Sequence, residues 1–230
     1  MTNDETKWDR LMAASGYTFR NIDYLRQAMT HTSYANEHRK QGIGHNERLE
    51  FLGDAVLEMV SSEFLYHLYP DRPEGELSKM RASYVCEPTL AISAHELNLM
   101  ACLMLGRGEE KTGGRFRDSI LSDALESLIA AIYLDGGFEA ARTFILEHVL
   151  NDIERKKHFT DCKSDLQEAV QAEGRICDYV LTGEEGPDHD KRFFVEVRID
   201  GEVFGCGAGR TKKAAEQQAA LEALKHFGRE

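Results

Sequence analysis

Up to about residue 155, apolar positions recur at helical spacing with few β-branched runs. The pattern predicts a bundle of short helices over 6–14, 22–29, 46–69, 76–84, 87–97, 118–135 and 138–154. A polar stretch from Glu154 to Asp161 reads as a linker over 155–161. Beyond it the period changes. Ser164-Asp-Leu-Gln167 has the form of a capping box opening a helix that stops at Gly174. Phe193, Val195, Val197 and Ile199 then alternate with Phe194, Glu196 and Arg198, the period of a strand. Asp200-Gly201 marks a hairpin turn into a strand over 202–209, and Cys177 to Thr182 predicts a third. An alanine-rich helix follows from about Thr211 to Phe227. The fold class is multidomain: an all-α domain over 1–154, then a small α+β domain of order α-β-β-β-α over 162–230.

Composition narrows the picture. With 42% apolar and 30% charged residues, the 230-residue chain is neither disordered, collagen-like nor disulfide-stapled. Forty acidic against 28 basic residues give a net charge of −12, so there is no protein-wide positive field and any polyanion binding must be local. Cys86, Cys102, Cys162, Cys177 and Cys206 are odd in number and form no C-x-x-C pair, which argues against a zinc site and favours a reducing compartment. The start MTNDETKWDRL has no apolar signal core, and no stretch reaches the roughly 20 apolar residues of a membrane span. A cytoplasmic chain without membrane association is expected.

The candidate chemistry lies in two helices. At about 100° per residue, Glu47, Glu50, Asp54 and Glu58 share a narrow stripe, and Leu49, Leu52, Val56, Leu57, Met59 and Val60 occupy most of the remaining circumference. A solvated face would account for a lone acidic stripe. Here no Lys or Arg sits at i+4 along it, so the carboxylates repel one another and call for a cation. The second helix, Ile120 to Leu134, is nearly all apolar yet carries Asp123 and Glu126 one turn apart. If the two helices pack face to face, Glu50, Asp54, Asp123 and Glu126 converge as hard oxygen ligands suited to Mg²⁺ or Mn²⁺, up to two ions. Such ions activate water for phosphodiester hydrolysis. The Gly-rich loop Gly106 to Arg115 lacks the glycine a P-loop needs before Lys111, and reads as a connection touching substrate through Arg107, Lys111, Arg115 and Arg117.

Asn46-Glu-Arg-Leu-Glu-Phe-Leu-Gly-Asp-Ala-Val-Leu57 resembles the signature motif of the ribonuclease III family over its whole length, and Ser122-Asp-Ala-Leu-Glu-Ser-Leu-Ile129 resembles its second acidic motif. The resemblance implies that the helical domain is catalytic, that Glu50, Asp54, Asp123 and Glu126 bind metal, and that Asp54 and Glu126 are catalytic. Glu47 and Glu74 resemble two accessory acidic positions; a surface carboxylate and a helix N-terminal cap explain them nearly as well. Also implied are a homodimer whose two sites cut opposite strands of double-stranded RNA, Mg²⁺ as cofactor with Mn²⁺ as substitute, and 5′-phosphate and 3′-hydroxyl products. Roles in ribosomal- and messenger-RNA processing and RNA turnover follow from the same likeness.

The second unit holds 10 basic and 14 acidic residues from Cys162 onward, unpromising for a nucleic-acid binder. Distribution outweighs the sum. Arg210, Lys212 and Lys213 cluster where a helix begins, an electrostatically unfavourable place for cations that suits a phosphate clamp. Alternatively, Glu216 and the following glutamines absorb the charge. The unit resembles the double-stranded-RNA-binding domain from Cys162 to Phe227. That likeness implies that Pro187 and His189 enter a minor groove, that Arg210, Lys212 and Lys213 meet phosphates, and that Gln167 and Glu168 meet 2′-hydroxyls, so A-form shape is read. Asp188 and Asp190 beside His189 depart from a basic pattern. Two other classes stay open: a non-catalytic RNA-binding regulator, and an acidic helical scaffold indifferent to double-stranded RNA.

Overall fold

The computed structural model describes residues 3–186, 191–209 and 211–227, without the side chains of 3–5 and 154–161. The described chain forms two compact units, divided between Ile153 and Glu154.

The first unit is helical. It comprises α1 (Asn3–Ser15), α2 (Ile22–Ala28), α3 (Thr32–Glu37), α4 (Glu47–Leu68), α5 (Glu74–Tyr84), α6 (Glu87–Glu96), α7 (Arg107–Lys111), α8 (Asp118–Gly136) and α9 (Phe138–Phe144), the last continued by a π turn over Ile145–Val149. Helix α8 is the axis of the bundle. Leu121, Ala124, Leu125, Leu128, Ile129, Ala130, Ala131 and Ile132 are all wholly buried, as its near-continuous apolar sequence demands. Against it pack Leu49, Val56, Leu57, Val60 and Leu65 of α4.

Two helices arise where none is predicted. Thr32–Glu37 is polar and too short to show a period; it forms because the His31 ring nitrogen Nδ1 accepts the Ser33 backbone N–H at 3.3 Å, capping the first turn. Arg107–Lys111 lies within the segment expected as a loop. Its neighbour Arg115 pairs with Glu110 at 2.6 Å and donates to the carbonyls of Met100 and Leu103, while Arg117 pairs with Glu109 at 2.8 Å. Those two arginines brace the fold; Arg107, Lys111 and Arg117 are exposed.

The second unit is built on α10 (Ile153–Ala172), β1 (Cys177–Glu185), β2 (Arg192–Ile199), β3 (Glu202–Gly209) and α11 (Lys212–Leu224), with antiparallel sheet order β1-β2-β3. The α-β-β-β-α order is as the sequence indicates. The expected linker is not a break in the backbone, because one helix runs from Ile153 to Ala172 and Ser164 sits inside it. Polarity alone does not end a helix, and no glycine or proline lies between Gly137 and Gly174. The hairpin turn has Asp200 and Gly201 both at positive φ, 53° and 88°, the conformation that Asp-Gly favours between twisted strands.

One face of β3 is stripped of side chains. A Cβ on Gly205, Gly207 or Gly209 would collide with the backbone of α11. The helix offers Ala215, Ala219 and Ala223, all wholly buried, to that face. Small residues on both surfaces bring helix and strand together, and Val195, Val197, Ile199, Leu166 and Leu224 complete this second core.

Candidate functional site

Helices α4 and α8 cross at Gly53. A Cβ there would fall on the carbonyl of Glu126, far inside van der Waals contact, so only glycine permits the approach. Gly53 lies between Glu50 and Asp54, and the partner backbone belongs to Glu126 itself. The same contact that joins the helices therefore brings their acids together. Oxygen atoms of Glu50, Asp123 and Glu126 lie within 4.8 Å of one another, each side chain half-buried. Asp54 stands outside this ring on an exposed position, yet its charge acts on both Glu50 and Glu126.

Electrostatics show what the crossing costs. Burial pushes the Glu126 carboxyl up to about 8, helped by the charges of Asp54, Asp123 and Glu50. Glu50 is raised by burial and then by Asp123, Glu47 and Asp54. Asp123 is raised by burial and by Glu87, against the lowering influence of His31 and a hydrogen bond from Ser122. Three carboxyls all displaced toward their neutral forms need a proton or a cation. An all-oxygen donor set of this charge fits a hard divalent ion.

Glu87 and His31 are the neighbours that sequence spacing misses, because they arrive on α6 and on the cap of α3. The backbone explains the approach of His31. Asn46 N–H donates to the Thr30 carbonyl at 2.9 Å, and the Ser127 hydroxyl donates to the Asn46 carbonyl at 3.2 Å, tying the chain before His31 to α8.

The remaining predicted acids lie apart from the ring. Glu47 is exposed, 3.6 Å from the His45 ring, and Glu58, at the end of the stripe, has Arg81 of α5 at 3.9 Å. The missing cation for that end thus comes from another helix. Glu74 opens α5, where a negative charge suits the helix dipole, and accepts a hydrogen bond from Ser78 at 2.8 Å.

Sequence periodicity also places Met59 in the apolar circumference, but Phe51 is 80% and Met59 62% exposed. With Ala55 and Tyr66 they form an apolar stripe along α4 that is exposed on the first unit.

In the second unit, Gln167 and Glu168 are exposed on α10, and Lys212 and Lys213 are exposed on the first turn of α11, whose cap is Thr211 accepting from Ala214 N–H at 3.1 Å. Pro187, His189 and Arg210 lie outside the described residues, as do Asp188 and Asp190. Glu216 does not serve the lysines of its own helix: it pairs with Lys163 of α10 at 2.5 Å, and the Gln217 side chain accepts the Lys163 backbone N–H. Lys212 faces Glu184 of β1 at 3.7 Å.

An all-helical bundle carrying a buried carboxylate crossing, followed by an α-β-β-β-α unit with a basic helix start, defines the class of two-domain nucleases of double-stranded RNA. Residues 21–153 match the family model described as ribonuclease-III-like, and residues 162–226 match the double-stranded RNA binding motif. The chain belongs to the ribonuclease III family and is an endoribonuclease of that type. It is 49% identical to Ribonuclease 3 of Desulforamulus reducens over 99% of this chain and 94% of that one. It is 52% identical to Ribonuclease 3 of Bacillus licheniformis over 90% of this chain and 84% of the relative. Among solved structures, the nuclease domain of ribonuclease III from Campylobacter jejuni, described for flexibility in a region involved in dimer formation, superimposes with a TM-score of 0.58 at 42% identity. That likeness covers 61% of this chain and 94% of the other. Among the described residues no helix is long and apolar enough to cross a membrane.

Proposed function

We propose that the chain hydrolyses phosphodiester bonds of double-stranded RNA with the help of Mg²⁺, or Mn²⁺ in its place, leaving 5′-phosphate and 3′-hydroxyl ends. The reading includes a cytoplasmic homodimer acting in ribosomal- and messenger-RNA processing and RNA turnover. Its main support is the gathering of Glu50, Asp123 and Glu126 at the Gly53 crossing. In this reading those three and Asp54 hold the divalent ion, Asp54 and Glu126 are the catalytic pair, and Glu47 and Glu74 are accessory. Bound there, the ion supplies Lewis acidity at the scissile phosphate and a lowered pKa for the attacking water. The protein's part is to hold the carboxylates close on two rigid helices. Glu126, lying deepest against the helix crossing, is the acid whose charged form depends most on the cation.

The catalytic unit extends to about residue 154, and the RNA-binding unit begins near Cys162 after the segment 155–161. Phosphates would rest on Lys212 and Lys213 at the positive end of α11. Gln167 and Glu168 would meet 2′-hydroxyls, with Pro187, His189 and Arg210 assigned to the same surface. The Phe51, Ala55, Met59 and Tyr66 stripe supports dimerisation, since an exposed row of large apolar side chains on one helix is the kind of surface a second copy covers. Incubation with a long RNA duplex tests the activity: cleavage with Mg²⁺ and none in EDTA, with products ligatable at a 5′-phosphate, is the expected outcome. Binding without cleavage under both conditions would sink it. Sedimentation of Phe51→Asp tests the dimer, and an unchanged mass relative to wild type would remove the stripe from that role.

A further inference from the structure

Within the surface proposed to meet phosphates, one carboxylate stands among the cations. Glu184, near the end of β1, lies 2.8 Å from the Lys191 ammonium and 3.7 Å from that of Lys212. Both ammoniums also lie against the ring of Phe193, at 5.9 and 5.7 Å from its centroid. The sheet fixes this arrangement, because Glu184 is paired with Phe193 across β1 and β2, and Phe193 with Gly209 across β2 and β3, just before α11 begins. Hydrogen bonding from Lys191, foremost, and the charge of Lys212 hold the Glu184 carboxyl below its ordinary range. It is therefore ionised wherever RNA binding takes place. A carboxylate oxygen thus occupies a place beside Lys212.

We propose that Glu184 is an internal phosphate mimic that sets the affinity of the second unit for duplex RNA: it neutralises Lys191 and Lys212 in the free protein and must be displaced by the RNA backbone. This rests on the reading of α11 as a phosphate-binding helix start. The physical consequence concerns salt. A free lysine that neutralises an RNA phosphate releases condensed counterions, whereas a lysine that exchanges its own carboxylate for the phosphate leaves that carboxylate to gather cations and so releases fewer ions in net. Binding should then respond to salt more weakly than the number of lysines on the surface implies, and should tighten when the carboxylate is removed.

The test is duplex binding by the full chain in EDTA across a salt series, comparing wild type with Glu184→Gln, Glu202→Gln and Lys212→Ala with Lys213→Ala. Glu202 is exposed and pairs with Ile199 at the opposite end of the sheet. Six strand residues, about 20 Å, separate Ile199 from Phe193. Its neutralisation changes the net charge equally without touching the lysines. Glu184→Gln should bind about threefold more tightly at low salt, a gain in keeping with a surface ion pair. Its plot of log affinity against log salt should be steeper by up to about one unit. Glu202→Gln should match wild type. Equal tightening in both glutamine variants would assign the effect to net charge and overturn the proposal. A Glu184→Gln protein that binds like wild type, while the lysine pair weakens binding, would overturn it and leave the RNA-binding reading standing. If the lysine pair binds as wild type does, both readings fall together.

Discussion

The α4–α8 crossing and the seat of α11 on β3 use the same device to opposite electrostatic ends. In each, glycine removes a Cβ so that two backbones touch: Gly53 beneath Glu126 in the first, Gly205, Gly207 and Gly209 beneath α11 in the second. At the first, the contact buries like charges. Glu126 is pushed up to about 8, and the arrangement is incomplete without a proton or a cation. At the second, the contact leaves its charges in solvent, where Glu184 lies 3.7 Å from Lys212 and the protein supplies its own counter-charge. Depth decides the difference. Half-buried carboxylates crowded by like charges are poorly screened by water and call for a proton or a cation, whereas an exposed lysine can be balanced by a neighbour at little cost.

The strongest way to break this contrast is Glu126→Gln. The amide keeps the shape and loses the ligand charge, so cleavage should fall by about three orders of magnitude, corresponding to several kcal/mol of lost transition-state stabilisation. Duplex binding measured alongside should persist. A variant that cuts at near wild-type rate would show that the buried acids are not the reactive centre.

Substituting the contact glycines compares the two packings directly. Gly53→Ala should destabilise the helical unit by about 2–3 kcal/mol and abolish cleavage, because a methyl group forced against the Glu126 carbonyl spreads the helices. Gly207→Ala should destabilise the second unit by a similar amount and weaken RNA binding while the first unit keeps its melting transition. Calorimetry resolves the two, and loss of both transitions in either variant would argue against independent cores.

Lys212→Ala with Lys213→Ala should weaken binding of all duplexes alike, about tenfold at moderate salt, and flatten the salt dependence. Turnover at saturating RNA should hardly change. A selective loss for particular duplex sequences would contradict phosphate contact.

The last test concerns pH. A Glu126 carboxyl at about 8 when folded, against 4.5 as its ordinary value, means the folded chain binds the extra proton between those limits. The stability this contributes is present below about 4.5 and is lost as pH rises through about 8. In EDTA the melting temperature should therefore fall across that window, and millimolar Mg²⁺ should flatten the fall by binding the folded state. Glu126→Gln should show a shallower decline in EDTA. Equal slopes in all three would place the titrating group elsewhere.

How much of this was readable from the sequence depends on how far a pattern travels along one element. The stripe of Glu50 and Asp54 and the pair Asp123 and Glu126 each lie on a single helix, so spacing alone located them. His31 and Glu87 come to Asp123 from elements whose mutual placement no local period encodes. The α-β-β-β-α order and the Asp200-Gly201 turn were legible because alternation and turn chemistry are local. The continuation of α10 through the polar stretch was not, since charged residues are good helix formers and polarity resembles a linker. Nor could spacing distinguish Phe51 and Met59 from core residues, because an apolar position on a helix looks the same whether its cover is its own chain or another.

The bare face of β3 has one further consequence. Glycine-rich strands are ordinarily poor at fixing which residue pairs with which, since they offer no side chains to lock. Here the reverse holds. Sliding β3 by one residue would turn Cys206 and Ala208 toward α11, where even one added carbon collides with backbone. The empty positions act as a keyway that a misaligned strand cannot enter, so the hairpin finds its alignment by exclusion, and the helix bearing Lys212 is set in place by the same refusal.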